Sequence, residues 1–181
     1  MPEKIELDIS QPIWDRFFYV ISLVIIGTKE PDGGYDLAPK HMAIPIGWSN
    51  YFGFVCSPTH ATQVNAERTG VFTVTYPRPE QLLHTSLSAS PRLDEAGKPA
   101  LAALPMAPAH VIDGVLVDGG YVDLDCELDR IIYDFGVNSL IIGRIVAARV
   151  AEDAMRVMDS DDSDLVHEAP LLAYLSPGRF T

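Results

Sequence analysis

Tyr51-Phe-Gly-Phe-Val-Cys56-Ser57-Pro58-Thr59-His60-Ala61-Thr62-Gln63-Val64-Asn65 runs from a strand pattern straight into a helix pattern. Ser57 suits an N-cap and Pro58 the first helical position, so the sequence predicts a helix over 58–69 with Gly70 as its C′ residue. Thr59, His60 and Thr62 fall in its first turn. Unpaired amides, the positive end of the helix dipole, hydroxyls and an imidazole together describe an anion pocket, and phosphate is the usual biological anion. Upstream, after the Gly33-Gly34 turn, Asp36-Leu37-Ala38-Pro39-Lys40-His41-Met42-Ala43 supplies a second segment placed to lie beside the rest of a phosphorylated ligand.

Working outward, Phe17–Thr28 reads as a buried strand ending at Pro31-Asp32-Gly33-Gly34, and Tyr35–Ala43 as a second strand that runs out at Pro39. After irregular residues 44–50, Tyr51–Cys56 and Val71–Tyr76 are strands, and Glu80–Ser88 a short helix. Residues 89–109 form a long proline-rich connection, and connections of that length often border a site. In Val122–Asp129, apolar Val122, Leu124, Cys126 and Leu128 alternate with Asp123, Asp125, Glu127 and Asp129. Period two predicts one buried and one wet wall, with the acids solvated. Asn138–Val150 is a further strand. Residues 1–15 are a polar lead-in. Residues 152–168 are an acidic, solvated loop whose Asp159–Asp164 run lacks the glycine and closing glutamate of a calcium loop. The expected fold is a single mainly β domain over 1–181, a closed or partly closed β-barrel with a few short helices.

The chain has 181 residues, 48% of them hydrophobic. A chain of this length buries roughly 70% of its unfolded surface and needs no disulfides. Cys56 and Cys126 each sit in an apolar strand pattern and read as core thiols, which suits a reducing cytoplasm. Acids outnumber bases 25 to 13, for a formal charge of −12. That argues against nucleic acid and against anionic membrane surfaces, but not against a small anion in a local pocket. No leader pattern opens the chain, and its longest apolar run, Phe17–Ile26, is too short to span a bilayer.

No dinucleotide glycine fingerprint, Walker A loop or hydrolase elbow occurs. The histidines, at 41, 60, 84, 110 and 167, lack zinc-site spacing, so no metal is expected. No side chain stands out as a nucleophile. That directs attention to an organic cofactor that brings its own chemistry.

The residues resemble the flavin reductase-like family of FMN-binding split barrels. The resemblance rests on the strand Val20–Thr28 with its Gly33-Gly34 hairpin, on Leu37-Ala38-Pro39, on Thr62 and Asn65, and on Thr69-Gly70 followed by Phe72 and Val74. Leu124-Asp125-Cys126-Glu127-Leu128 and Asn138–Val146 with Gly143 extend it, and Leu172–Gly178 extends it more loosely. It implies a homodimer with one FMN per subunit. By this resemblance Thr62 and Asn65 hold the phosphate, with Thr59, His60 and Ala61 around them. The backbone of Leu37, Ala38 and Met42 lies along the ring system, with Val55, Cys56 and Ser57 nearby. Asp36 stands in place of the family's Asn, His41 in place of Ser, and His60-Ala61 in place of Lys-Asp. Lys40 and Arg68 are candidates for the missing cation, and Lys40 and His41 for ligand contact. His41 is the one candidate for a catalytic role; the alternative is a partly buried histidine packed on Trp48.

Trp48, Tyr51 and Phe52 are assigned to the core or a subunit interface, and Tyr133, Phe135 and Asn138 are only secondary candidates for a second face of the site. The implied activity is hydride transfer from NAD(P)H to the flavin and on to an acceptor, which includes a partner monooxygenase. A non-catalytic flavin or electron carrier, and a split barrel holding another ligand such as haem, stay open as alternatives.

Overall fold

The computed structural model describes residues 2–17, 19–93, 97–156, 164, 167–175 and 179–180. Seven strands form one antiparallel sheet: β2 (Val24–Lys29), β3 (Tyr35–Lys40), β4 (Ala43–Pro45), β5 (Tyr51–Cys56), β6 (Val71–Tyr76), β9 (Val122–Phe135) and β10 (Asn138–Val150). Their order is β3-β2-β6-β9-β10-β5-β4, curled into a half-barrel with β3 and β4 as its unjoined edges. Two small sheets accompany it. β1 (Val20–Ser22) pairs with β11 (Ala173–Leu175), which pairs with β12 (Arg179–Phe180), and β7 (Met106–Pro108) pairs with β8 (Val115–Val117). The α-helices among the described residues are α1 (Ala61–Thr69) and α2 (Leu82–Ser88).

The concave side encloses the main core: Val24 and Ile26, Phe52 and Phe54, Cys56, Phe72 and Val74, Leu124 and Cys126, and Ile141, closed by Ala66 of α1. Phe54 meets Phe72 edge to face, centroids 5.2 Å apart at 78°, a geometry worth about 0.5–1.5 kcal/mol beyond burial. A second cluster covers the opposite face of β2 and β3: Ile25 and Leu37 under Leu101, Leu104, Val115 and Val117. β2 is therefore buried on both faces, which is why its sequence is a continuous apolar run rather than an alternating one. Gly27 permits this layering, because a Cβ there would strike the Val115 carbonyl and the Thr73 hydroxyl.

Several sequence expectations are corrected. The strand expected over 17–28 is two, β1 and β2, belonging to different sheets. β3 continues through Pro39 to Lys40, because it is an edge strand where proline breaks no ladder. Residues 44–50 are not wholly irregular, since β4 pairs with β5. β9 runs six residues beyond Asp129, and its acids are not a uniformly wet wall. Asp125 is 0% exposed and accepts the amides of His110 and Val111 at 2.8 and 2.7 Å. The connection between β7 and β8 folds over that wall, and a buried carboxylate takes up amides that no strand could pair. Asp123 is half-buried, and desolvation raises its pKa. Glu127 and Asp129 are exposed as expected. Trp48 is fully exposed and belongs to no core, whereas Phe52 is buried. Cys56 and Cys126 are buried free thiols, and burial pushes the Cys126 thiol up to about 12. Most of the acidic stretch 152–168 lies outside the described residues. Of its start, Glu152–Ala154 is a single 3-10 turn with Ala154 buried. No helix among the described residues is long and apolar enough to cross a membrane.

Candidate functional site

α1 starts three residues later than its sequence suggests, with His60 rather than Ser57 in the N-cap position. Ser57 is instead used locally. Its carbonyl accepts the His60 amide at 3.0 Å, and its hydroxyl lies 3.0 Å from that of Thr59. Such short-range serine and threonine bonds compete with helix formation and delay its start. The first i→i−4 bond runs from the Val64 amide to the His60 carbonyl at 3.2 Å. The amides of Ala61 and Thr62 therefore precede the ladder. Gly70 ends the helix at φ 73°, with its amide on the Ala66 carbonyl at 2.9 Å. The helix presents Thr62, Gln63, Asn65 and Ala66 to the sheet, so its buried face is largely polar.

Two cavities meet at His60. One, of about 230 Å³, is lined by Pro39, Lys40, His41, Met42, Val55, Cys56, Ser57, His60 and Asn138. The other, of about 310 Å³, is lined by Asp36, Ala38, Thr59, His60, Ala61, Thr62, Ala89, Ser90, Arg92 and Lys98. A third, of about 420 Å³, continues past Asp36, Arg92 and Lys98 to Glu30 and Tyr35. The groove thus follows edge strand β3 from an apolar end at Met42 and Val55 to a polar end at the start of α1. Cavities of roughly 300–1,000 Å³ with a few convergent polar groups are the usual form of small-molecule sites.

The residues singled out from sequence do not all reach this groove. Ala38, Lys40, His41, Met42, Val55, Cys56, Ser57, Thr59, His60, Ala61 and Thr62 line it. Leu37 packs its side chain in the second core cluster, which is compatible with the backbone role expected of it. Asn65 lines neither cavity. It is 2% exposed, and its amide points to the Thr28 hydroxyl at 3.4 Å. Arg68 is turned away as well, donating to the Lys29 carbonyl and, at 3.5 Å, to Asn65 Oδ1. Tyr133 and Phe135 are exposed on the β9–β10 hairpin, while Asn138 does line the smaller cavity. His41 does not pack on Trp48. Its ring stacks on Tyr174 with centroids 4.5 Å apart and planes at 29°. That contact joins residues far apart in sequence, which no local pattern announces.

Sequence reading missed Ser90, Arg92 and Lys98 as individual residues. The available signal was the length of the 89–109 connection. Lys98 ties it to the groove floor: its ammonium meets Asp36 Oδ1 at 3.0 Å and donates to the Leu37 and Ser88 carbonyls at 2.9 and 3.0 Å. In the smaller cavity Lys40 Nζ lies 3.3 Å from Cys56 Sγ, which is 3.9 Å from His60 Nδ1. Burial, then the charge of Lys40, lowers the His41 pKa. Burial, then Lys40 and Lys98, lowers that of His60. Both imidazoles are thus neutral near pH 7, each offering one N–H and one lone pair. Among the described residues, no group of three or more His, Cys, Asp or Glu is arranged to hold a metal.

Residues 19–173 match the flavin reductase like domain. The chain belongs to this family. No curated protein matches it. Among solved structures, it is similar to nitrilotriacetate monooxygenase component B from Bacillus cereus. That likeness has a TM-score of 0.82 at 16% identity and covers 99% of this chain and 96% of the other. An FMN-binding protein from Thermus thermophilus, solved with bound 1-cyclohex-2-enone, gives a TM-score of 0.76 at 18% identity and covers 100% and 95%. Flavoredoxin from Methanosarcina acetivorans gives 0.76 at 16% identity, covering 99% and 91%. At such identities the likeness is one of fold. This member of the flavin reductase-like family is accordingly a split-barrel, flavin-binding oxidoreductase by family.

Proposed function

We propose that this chain binds FMN along β3 and at the start of α1, takes hydride from NADH or NADPH, and passes the electrons to an acceptor such as free flavin, oxygen or a partner monooxygenase. The observation that carries the reading is the paired cavity around His60: one cavity with Pro39, Met42 and Val55 in its lining, and another lined by hydroxyls, cations and the helix-start residues Ala61 and Thr62. These residues fit a flavin mononucleotide. Ala38, Met42 and Val55 match a flat aromatic ring, and Thr59, Thr62 and the amides ahead of the helical ladder match a phosphate. The bound flavin would supply the redox chemistry itself. The protein's part is positional. Edge strand β3 and the Lys98 clamp fix the floor, and neutral His41, braced on Tyr174, offers a hydrogen bond at the ring end. No side chain of the groove need exchange a proton.

A homodimer fits the exposed apolar side chains at the β9–β10 hairpin: Ile132 at 43%, Tyr133 at 45%, Phe135 at 55% and Val137 at 81% exposure. The buried free thiols fit a reducing, cytoplasmic setting. The test is an absorbance titration with FMN, followed by anaerobic addition of NADH and then NADPH. Uptake followed by bleaching of the flavin band is expected. Uptake without bleaching by either nucleotide makes the protein a flavin carrier, and no uptake at all removes FMN from the site.

A further inference from the structure

We propose that Arg92 is the residue that reads the ligand's phosphate, and that Glu30 holds it in reserve until the phosphate arrives. The inference rests on the FMN reading above and assigns a specificity-determining side chain within it. Among the described residues lining the polar cavity, the cations are Arg92 and Lys98. Lys98 is only 10% exposed at its side chain; it donates to the Leu37 and Ser88 carbonyls, and its charge is already paired with the buried Asp36 carboxylate. His60 on the opposite wall is uncharged near neutral pH, as described above. Lys40 opens into the other cavity, toward Cys56.

Arg92 differs on each count. Its side chain is 36% exposed and lines both the polar cavity and the larger one beyond it. Nη1 lies 2.6 Å from Glu30 Oε1 and 3.6 Å from Asp36 Oδ1. A guanidinium carries five N–H donors, so most remain for another partner. Ser90, two residues earlier, lines the same cavity, and Thr59, Ala61 and Thr62 line it from α1. A phosphate between them would meet helix-start amides on one side and a planar fork on the other, a geometry suited to bidentate binding. Glu30 competes for that fork. Its carboxylate neutralises Arg92 in the free protein, and only a dianion with several acceptors outbids it, so a flavin without phosphate gains nothing there.

The experiment compares equilibrium binding of FMN and riboflavin to the wild-type chain, Arg92→Ala, Arg92→Lys and Glu30→Gln. Arg92→Ala is expected to weaken FMN roughly tenfold or more, while riboflavin stays within about twofold of the wild type. Arg92→Lys, which keeps the charge and loses the fork, is expected to fall between. Glu30→Gln reads the same contact without touching Arg92. It is expected to tighten FMN by about threefold, because the competing pair no longer taxes the competent state. FMN affinity unchanged in Arg92→Ala, or FMN and riboflavin weakened in parallel, overturns the assignment. FMN affinity unchanged in Glu30→Gln overturns the reserve role. A wild-type chain that takes up neither flavin fails at the earlier step and removes the FMN reading itself.

Discussion

Lys98 closes on Asp36 across the groove floor, Nζ to Oδ1 at 3.0 Å, with the carboxylate side chain only 2% exposed. The pair joins the long connection to an edge strand, and the lysine also donates to the Leu37 and Ser88 carbonyls. Removing Lys98 leaves the buried carboxylate only the more distant Arg92 guanidinium, at 3.6 Å, and a buried charge that loses its close partner costs up to about 3–5 kcal/mol. Lys98→Met is expected to lose stability in that range by urea unfolding. Adding Asp36→Asn in the same chain should recover part of the loss. A double variant as unstable as the sum of the two single ones would mean the pair is not coupled.

Asp125 gives a second prediction. Its buried Oδ2 accepts two amides of the β7–β8 connection at 2.8 and 2.7 Å. Asp125→Ala leaves those amides without an acceptor, and each such buried group costs about 1–3 kcal/mol. We expect a lower unfolding midpoint together with faster amide exchange at His110 and Val111. Protection unchanged at those two amides would mean that water replaces the carboxylate.

Stability should also bend with pH through His41. Its folded pKa lies below the ordinary value, through burial first and the Lys40 charge second. The unfolded chain therefore takes up the proton more readily than the folded one. Above about pH 6.5 the neutral ring costs nothing; as pH falls below that, protonation increasingly favours unfolding. His60 shifts in the same direction. Replacing His41 by Asn is expected to flatten the fall in unfolding free energy between about pH 7.5 and 5.5, measured against the wild type. Parallel profiles for the two proteins would clear His41 of any part in it.

Thr62 tests the anion end of the groove from the helix side. The residue is 2% exposed and lines the polar cavity. Loss of one hydroxyl partner from a bound phosphate typically costs about 1–3 kcal/mol. FMN titration of Thr62→Ala should show weaker binding by that amount, with riboflavin unaffected. Equal affinity for FMN in both proteins moves the phosphate elsewhere.

Much of the scaffold was legible one segment at a time. Alternation and β-branched residues marked β5, β6 and β10, and the helix stopped where Gly70 supplies a positive φ. The helix start was misread because Ser57 satisfies a local turn as well as it would an N-cap. Most residues singled out around Ser57 do line the groove, since one strand-to-helix junction delivers them together. Asn65 does not, because α1 turns its polar face onto β2 and the amide finds Thr28.

The Gly33-Gly34 hairpin, the burial of β2 and the interior placement of Cys56 and Cys126 can all be read locally from the chain. These follow from side-chain period and backbone sterics, which act over a few residues. The burial of Asp125, the stacking of His41 on Tyr174 and the placing of Arg92 and Lys98 along the polar cavity come instead from long-range packing. Those outcomes depend on where a long connection and a distant strand come to rest on the curled sheet. Packing over the whole chain sets that position, and no local propensity encodes it.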